Sequence, residues 1–435
     1  MPDVLDSLVD KSLVQCESRF DTIRFRLLES TRQYANEKLH QSGENVQAAH
    51  AHALAVLTLV ERFSPLNFIS DRTWKTEAQP EIENWRAAMR WAFGDGGEVV
   101  VGQRLAAALN DVWFSQAAEG LHWVRRAIES CDDATPPALR AKLELAQVTM
   151  AYPLGRGQTG ATFSSLERAL RLYNEVGDRL GVATAQIFIG ERLLFKGRIT
   201  EAEALLQSAL AVAEERGARR IVAIATRCLG IARSFAGDAG AARQLIRKSL
   251  EMYKAGGSTS HQATIQGLNL AEVEFQAGNA EAALELALES VEIHREYNAT
   301  FILATVLSNA AAYAVSLERF VDAGVYGREA LLLASEGEFE VQFAWASQHL
   351  AAVAALRQRG DDALRRKEVR FAARTIGFVD ARLAELERER GFTEQQEYKK
   401  VLCALCAQLG TELDALMSEG ATSSRGQIFN ELMEF

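Results

Sequence analysis

Proline and cysteine are scarce, with six and five residues in a chain of 435. So few prolines leave long stretches of backbone free to bond as helix. The five cysteines have unrelated spacing and make no disulfide framework. Cys403 and Cys406 show a zinc-like separation, but no second Cys or His pair lies near them, and structural zinc takes four ligands. Set among Leu402, Leu405 and Leu409, they read as part of a buried helical face. No uninterrupted apolar run reaches the ~18 residues of a membrane helix, so no membrane span is expected. The start, Met-Pro-Asp-Val-Leu-Asp, lacks the basic-then-apolar order of a signal peptide, which makes the cytoplasm the expected compartment. Basic charge is in deficit as well. A net charge of −10 argues against direct DNA binding, which needs a basic surface to displace counterions.

Catalytic sets are missing too. No Ser-His-Asp or Cys-His arrangement can be assembled from spacing, and a nucleophile without a positioned base is not evidence. His50 and His52, two apart on a helix, point to different sides and do not make a metal pair. The stretch from Gly155 to Thr162, Gly-Arg-Gly-Gln-Thr-Gly-Ala-Thr, is the nearest approach to a phosphate-cradling loop. Alanine stands where lysine would reach the phosphates and no strand precedes it, so it reads as a turn between helices. The expectation is a protein that is not an enzyme and has no cofactor and no metal.

What the chain does have is a beat of about forty residues. Small residues followed by an aliphatic one recur at Ala127, Ala169, Ala209, Ser249, Ser290 and Ala330. A second ladder runs Ala202, Ala242, Ala283, Ala323 and Ala363. A third, Gly190, Gly230, Ala271, Ala311 and Ala351, sits twelve residues ahead of the second. Three ladders in register mean a helical repeat array, with small side chains where helices cross. The apolar residues between Gly197 and Gly217 lie on one helical stripe, with Thr200 placed to cap the start and Gly217 to close the end. Turn glycines are expected at Gly197, Gly237 and Gly278 within repeats. Gly177, Gly217, Gly256, Asn298 and Gly337 are expected between repeats. The ladder fades at Arg370, where a small residue is wanted.

This pattern resembles tetratricopeptide repeats, in a variety longer than the usual ~34 residues. The N-terminus adds a second resemblance. A helix over residues 1–14, strand candidates at Leu13–Glu17 and Ile23–Leu28 around a turn containing Phe20 and Asp21, and a helix from Glu29 form the back half of a winged helix. The wording Leu8-Val9-Asp10-Lys11-Ser12-Leu13-Val14 and Arg24-Phe25-Arg26-Leu27-Leu28-Glu29-Ser30-Thr31-Arg32-Gln33-Tyr34-Ala35 closely resembles that segment of large bacterial STAND-class ATPase transcriptional regulators. The match continues through Gly43-Glu44, His50-Ala51, Glu83 to Ala88, Trp91-Ala92, Trp113-Phe114 and Glu119-Gly120. It resumes at Leu416 to Gly420. In that family the winged helix follows the nucleotide-binding domain and precedes a tetratricopeptide sensor.

The resemblance implies an all-α fold: a right-handed tetratricopeptide-like helical-hairpin solenoid with a small winged-helix remnant carrying one β-hairpin. The divisions are 1–45 for the partial winged helix, 46–97 for a helical linker broken near Pro65 and Pro80, 98–378 for about seven helix pairs, and 379–435 for capping helices. An ATPase module would lie upstream of Met1. A truncated gene, a misplaced start and a split partner each account for that.

The first helix of each repeat lines the concave side in the proteins this chain resembles. Positions two and three before the small residue read Ile187-Phe188, Arg227-Cys228, Leu268-Asn269, Ser308-Asn309 and Gln348-His349. The groove candidates are therefore Arg227, Asn269, Asn309, Gln348 and His349. The amides of Asn269 and Asn309, forty apart, could bind an extended peptide backbone, or could hydrogen-bond between repeats. The densest basic stretch, Arg365-Arg366-Lys367 with Arg357, Arg359, Arg370 and Arg374, reads as a solvated or intramolecular ion-pair face, with a partner patch as the alternative. The implied role is the non-catalytic sensor and interaction arm of a STAND-type regulator lacking its own ATPase. Its partners would be a protein or peptide, an upstream ATPase module or a small-molecule inducer. A free-standing adaptor that scaffolds protein partners is the rival.

Overall fold

A computed structural model describes residues 2–19, 22–62, 79–108, 116–157, 159–357 and 362–435. Phe20, Asp21, Pro65, Trp113, Phe114 and Arg359 lie outside the described residues. The chain is an array of paired helices preceded by one two-stranded hairpin.

The N-terminal unit is α1 (Pro2–Asp10), β1 (Val14–Arg19), β2 (Thr22–Leu27) and α2 (Glu29–Ser42). Its antiparallel register pairs Val14 with Leu27, Cys16 with Phe25 and Glu17 with Arg24. Because side chains alternate across a strand, Cys16, Phe25, Leu27 and Ile23 share one face. The opposite, polar face is tied to the body: Arg24 donates to Glu81 Oε1 at 2.6 Å. The apolar face is the one left open, with Ile23 65%, Phe25 45% and Leu27 39% exposed. Helix α2 contributes no buried residue.

The next helices, α3 (Asn45–Glu61), α4 (Ile82–Ala92), α5 (Val99–Ala107), α6 (Ala117–Glu129) and α7 (Pro137–Ala151), share a core around Val56, Trp85, Met89, Leu105 and Leu143. His50 leaves that core to stack on Trp91 and meet Glu98 at 3.1 Å, while His52 is exposed on another side.

Regularity sets in after α8 (Gly160–Glu175). Helices α9 (Arg179–Phe195), α10 (Ile199–Glu215), α11 (Arg219–Phe235) and α12 (Ala239–Ala255) are each 17 residues long. Left-handed residues punctuate them at Gly177, Gly197, Gly217, Gly237, Gly257 and Gly278, and then at Asn298, Glu318 and Glu338. Each turn returns an amide to a carbonyl five residues back, as in Asp178 to Tyr173 and Arg198 to Leu193, both 2.9 Å. That bond satisfies the orphan carbonyls of the helix end.

Two turn residues and one cap differ from the sequence reading. Gly256 and Gly337 have φ of −82° and −88°, so the left-handed positions are Gly257 and Glu338, one residue later. Gly337 is small for another reason: a Cβ there would stand 2.3 Å from the Phe339 ring. Thr200 lies inside the first turn of α10, behind an Arg198 that makes no side-chain cap. The caps that form use Asp178 and Asp238, which accept from Gly181 and Ala241 amides at 2.9 Å.

The ladders are the crossings. Ala202, Ala242, Ala283, Ala323, Ala209 and Ala330 are fully buried. At the serine rungs, Ser249 and Ser290 donate to the Ala223 and Ala263 carbonyls at 2.8 and 2.7 Å, so the buried hydroxyls are satisfied. One repeat is a residue longer than its neighbours, and its first helix shows where the extra residue goes. It runs as α13 (Thr259–Thr264), a π-helical turn (Ile265–Leu270) and α14 (Ala271–Gln276). The insertion is absorbed as a wider turn, and the rungs on either side keep register.

The array continues through α15 (Ala280–Glu296), α16 (Thr300–Ser316), α17 (Phe320–Glu336) and α18 (Glu340–Leu356). It then leaves the pattern. Helix α19 (Asp362–Glu385) is 24 residues long, and Ala363, the last rung of the second ladder, is exposed at its start. Helices α20 (Phe392–Leu409), α21 (Leu413–Ala421) and α22 (Arg425–Glu434) cap the end. Glycines let α19 and α21 touch backbone to backbone: a Cβ on Gly377 would lie 2.0 Å from the Met417 carbonyl oxygen.

The stretch Phe392–Ala421 has the length and composition of a membrane span, yet it breaks at Gly410 and lays Val401, Leu405 and Leu409 on the cap core. Cys403 and Cys406 do not belong to that face. Both are exposed, because the buried stripe of α20 falls on the aliphatic residues at other angular positions. The basic stretch is an intramolecular ion-pair face. Arg366 and Arg370 meet Glu412, Arg374 meets Glu431 at 2.8 Å, and Arg365 donates to three carbonyls at the end of the preceding helix segment.

Candidate functional site

The first helices of successive pairs, α7, α9, α11, α13–α14, α16 and α18, line the inner side of the array and enclose a groove of ≈ 1090 Å³. The turn that contains Gly155 connects α7 to α8 and reaches across to the later helices. Tyr152 meets Phe301 edge-on at 6.0 Å, and a Cβ on Gly155 would lie 3.0 Å from Val341 Cγ2. The C-terminal loop forms the remaining wall. Arg388 reaches over the ring of Phe195 at 4.8 Å, and Thr393 donates to both Glu272 oxygens at 2.8 and 2.7 Å.

Three of the five candidates named from the sequence open into this groove: Arg227, Asn269 and Asn309. Asn269 sits in the π-helical turn, and among the described residues its amide makes no hydrogen bond to another part of the chain. Asn309 reaches only the Tyr313 phenol, one turn along its own helix. Neither amide bridges two repeats.

Gln348 and His349 are a correction. Both are fully buried beneath α20. Gln348 donates to the Glu394 carbonyl at 2.9 Å and to Glu397 at 3.1 Å, and accepts from Arg390 at 2.7 Å. The His349 ring pairs with Glu397 at 2.9 Å. The reason is positional. They belong to the last inner helix, whose concave face has no following repeat and is covered by the cap.

Two features escaped the sequence reading. Glu272, one turn beyond Asn269, accepts from Thr393, Gln276 and Tyr313. Burial, and then the neighbouring Glu394 charge, lift its carboxyl to about 6, against the pull of those three donors. Arg192 is the other. It is 2% exposed, with Nε on the Gly157 carbonyl and Nη1 on the Phe188 carbonyl, both at 2.9 Å. A long basic side chain beside a glycine rung carries no periodic signal, so nothing in the ladders marks it.

The groove has a polarity. Arg192, Arg227 and Arg388 gather round Glu191 at one end, and Glu272 and Glu394 stand at the other. Aromatic and aliphatic walls, Phe188, Phe195, Phe301 and Trp345 among them, separate the two ends. Cys228, behind Arg227, is buried and its thiol is pushed up to about 12, so it stays protonated and unreactive. Among the described residues no cluster of three His, Cys, Asp or Glu side chains could hold a metal ion.

No family model matches the chain. Proteins described as "Putative HTH-type transcriptional regulator" from Mycobacterium tuberculosis and Mycobacterium bovis are 34% identical to it over 194 residues, 42% of this chain. The chain spans only 21% of the length of these relatives, and over that stretch it is homologous to part of them. Among solved structures, a Pyrococcus horikoshii signal transduction ATPase with numerous domains, which carries a tetratricopeptide repeat sensor, superposes with a TM-score of 0.52. The identity is 14%, covering 96% of this chain and 60% of that one. A Rap protein complexed with competence and sporulation factor gives a TM-score of 0.53 at 11% identity, covering 86% and 99%. The repeated helix pairs are therefore tetratricopeptide-like in architecture.

Proposed function

We propose that this chain is the sensor and coupling arm of a STAND-type transcriptional regulator, working without catalysis of its own, and that its concave groove captures an extended peptide. The observation that carries the reading is the pair Asn269 and Asn309. Two amides at equivalent places in adjacent repeats face one groove and make no bond between repeats. An amide offers a donor and an acceptor together, which is what a peptide unit presents in return. The apolar walls would take its side chains.

The N-terminal hairpin supports the coupling half. Its apolar face points away from the array while its polar face is anchored to Glu81. A contiguous apolar surface of that kind suits a covering module better than solvent. An ATPase module, covalently upstream or encoded separately, would receive the ligand signal there. Capture of the ligand would favour the curvature of the array that fits it best.

The test is a binding screen of the full chain against an immobilised array of synthetic hexapeptides. Hits that weaken in an Asn269→Ala/Asn309→Ala double variant of unchanged melting temperature support the groove. Hits indifferent to that change remove it. ATP hydrolysis by the purified chain would remove the non-catalytic reading.

A further inference from the structure

We propose that the end of the groove formed by Arg192, Arg227 and Arg388 is an anion-binding subsite that seats an oxyanion group, carboxylate or phosphate, of the captured ligand. This rests on the groove being the ligand site and adds the charge the ligand must carry.

Three guanidinium groups from three separate parts of the fold meet in one corner. Arg192 comes from the last turn of α9, Arg227 from the middle of α11 and Arg388 from the loop between α19 and α20. Glu191 is the carboxylate they share: Arg227 reaches it at 3.3 Å and Arg192 at 3.7 Å. Arg388 has no ion pair among the described residues. Its guanidinium lies over the Phe195 ring, and its Nε is buried without a hydrogen-bond acceptor. Three positive charges against one negative leave an excess of two, in a chain whose net charge is −10. The corner is electrostatically tight. Burial holds Arg192 below the ordinary arginine value, and the charge of Arg388 pushes the same way, against Glu191.

Like charges held this close in a partly desolvated site cost free energy unless a counter-charge joins them. Nothing in the fold requires Arg388 to be there. The cation–π contact with Phe195 could be made by an apolar residue with less cost, and Glu387, the residue before it, is held in a left-handed conformation. Such features mark a site organised for something else. Arginine suits that purpose, because its planar fork binds carboxylate or phosphate through two parallel bonds. The corner opens into the same cavity as Asn269 and Asn309. One ligand can therefore lay its backbone on the amides and its anionic end among the guanidiniums.

The test uses the full chain and three probes at matched ionic strength: succinate, inorganic phosphate and sodium chloride. Saturable binding of succinate or phosphate by calorimetry, with a rise in melting temperature beyond that in chloride, supports the subsite. The better of the two tells whether carboxylate or phosphate is the group it takes. Arg227→Gln and Arg388→Gln should each weaken that binding roughly tenfold or more, the worth of one charge-assisted bond. Arg425→Gln, at the distant cap, should leave it unchanged. Arg388→Gln should also raise the melting temperature of the unliganded chain, which a purely structural arginine would lower. No binding beyond chloride, or a lowered melting temperature in Arg388→Gln, overturns the proposal. Asn269→Ala/Asn309→Ala should lose peptide capture yet keep succinate or phosphate affinity, so the groove reading and the subsite fail separately.

Discussion

The Nδ1 atom of His349 lies 2.9 Å from Oε1 of Glu397, with the two side chains only 1% and 5% exposed. This buried pair clamps the cap helix to the last inner helix. Burial disfavours the imidazolium, but the charges of Glu397 and Glu394 and the hydrogen bond outweigh it and hold His349 above its ordinary 6.5. The stabilisation is therefore complete below the unfolded value and is lost as pH rises through the elevated folded value. Urea unfolding should show the wild type losing stability over that alkaline window, and Glu397→Gln losing much less. At acid pH, Glu397→Gln should cost about 1–3 kcal/mol, the penalty for an unsatisfied buried partner. A pH profile identical in both would refute the clamp.

Glu272 works in the opposite sense and in a different window. Its carboxyl stands at about 6 in the fold against 4.5 ordinarily, so the folded chain binds the extra proton. Stability should fall as pH rises from 4.5 to 6, by about 2 kcal/mol at most. Glu272→Gln cannot titrate and should flatten that part of the curve, measured as the melting temperature at steps across the window.

The glycine crossings should rank by what a methyl group would strike. At Gly377 the obstacle is the Met417 backbone at 2.0 Å, and at Gly190 it is the movable Leu206 side chain at 3.0 Å. Gly377→Ala should destabilise by about 3 kcal/mol or more, the severe end of overpacking, and Gly190→Ala by about 1 kcal/mol or less. Denaturant midpoints for the two variants would show whether the cap crossing is the tighter one.

The outward face of the hairpin should be expendable for folding and costly for solution behaviour. Ile23→Thr with Phe25→Thr removes exposed apolar surface and no core contact, so stability should stay within about 0.5 kcal/mol. Concentration-dependent association, followed by light scattering, should fall. A large loss of stability would mean the face is structural.

The alanine and glycine rungs made the array legible because a crossing tolerates only small residues, and three crossings per repeat leave three synchronous marks. The single extra residue between Gly230 and Ala271 was also visible as a longer step. Its meaning, a π-helical turn carrying Asn269, required the backbone. Gln348 and His349 look equivalent to Asn269 and Asn309 in spacing, and only the docking of α20 distinguishes a covered rung from an open one. Arg388 and Glu272 were hidden for the same reason. Their roles come from a loop returning across more than a hundred residues, which no local period records.

The contact of Tyr152 with Phe301, together with Gly155 against Val341, fastens one coil of the array to another. A free-ended solenoid flexes evenly along its length, whereas a fastened one is stiff as a hoop between the fixed points. Mechanical compliance is then diverted outward, toward the hairpin at one extremity and the cap helices at the other. A small ligand seated inside the hoop would have leverage on distant parts without deforming the helices it touches.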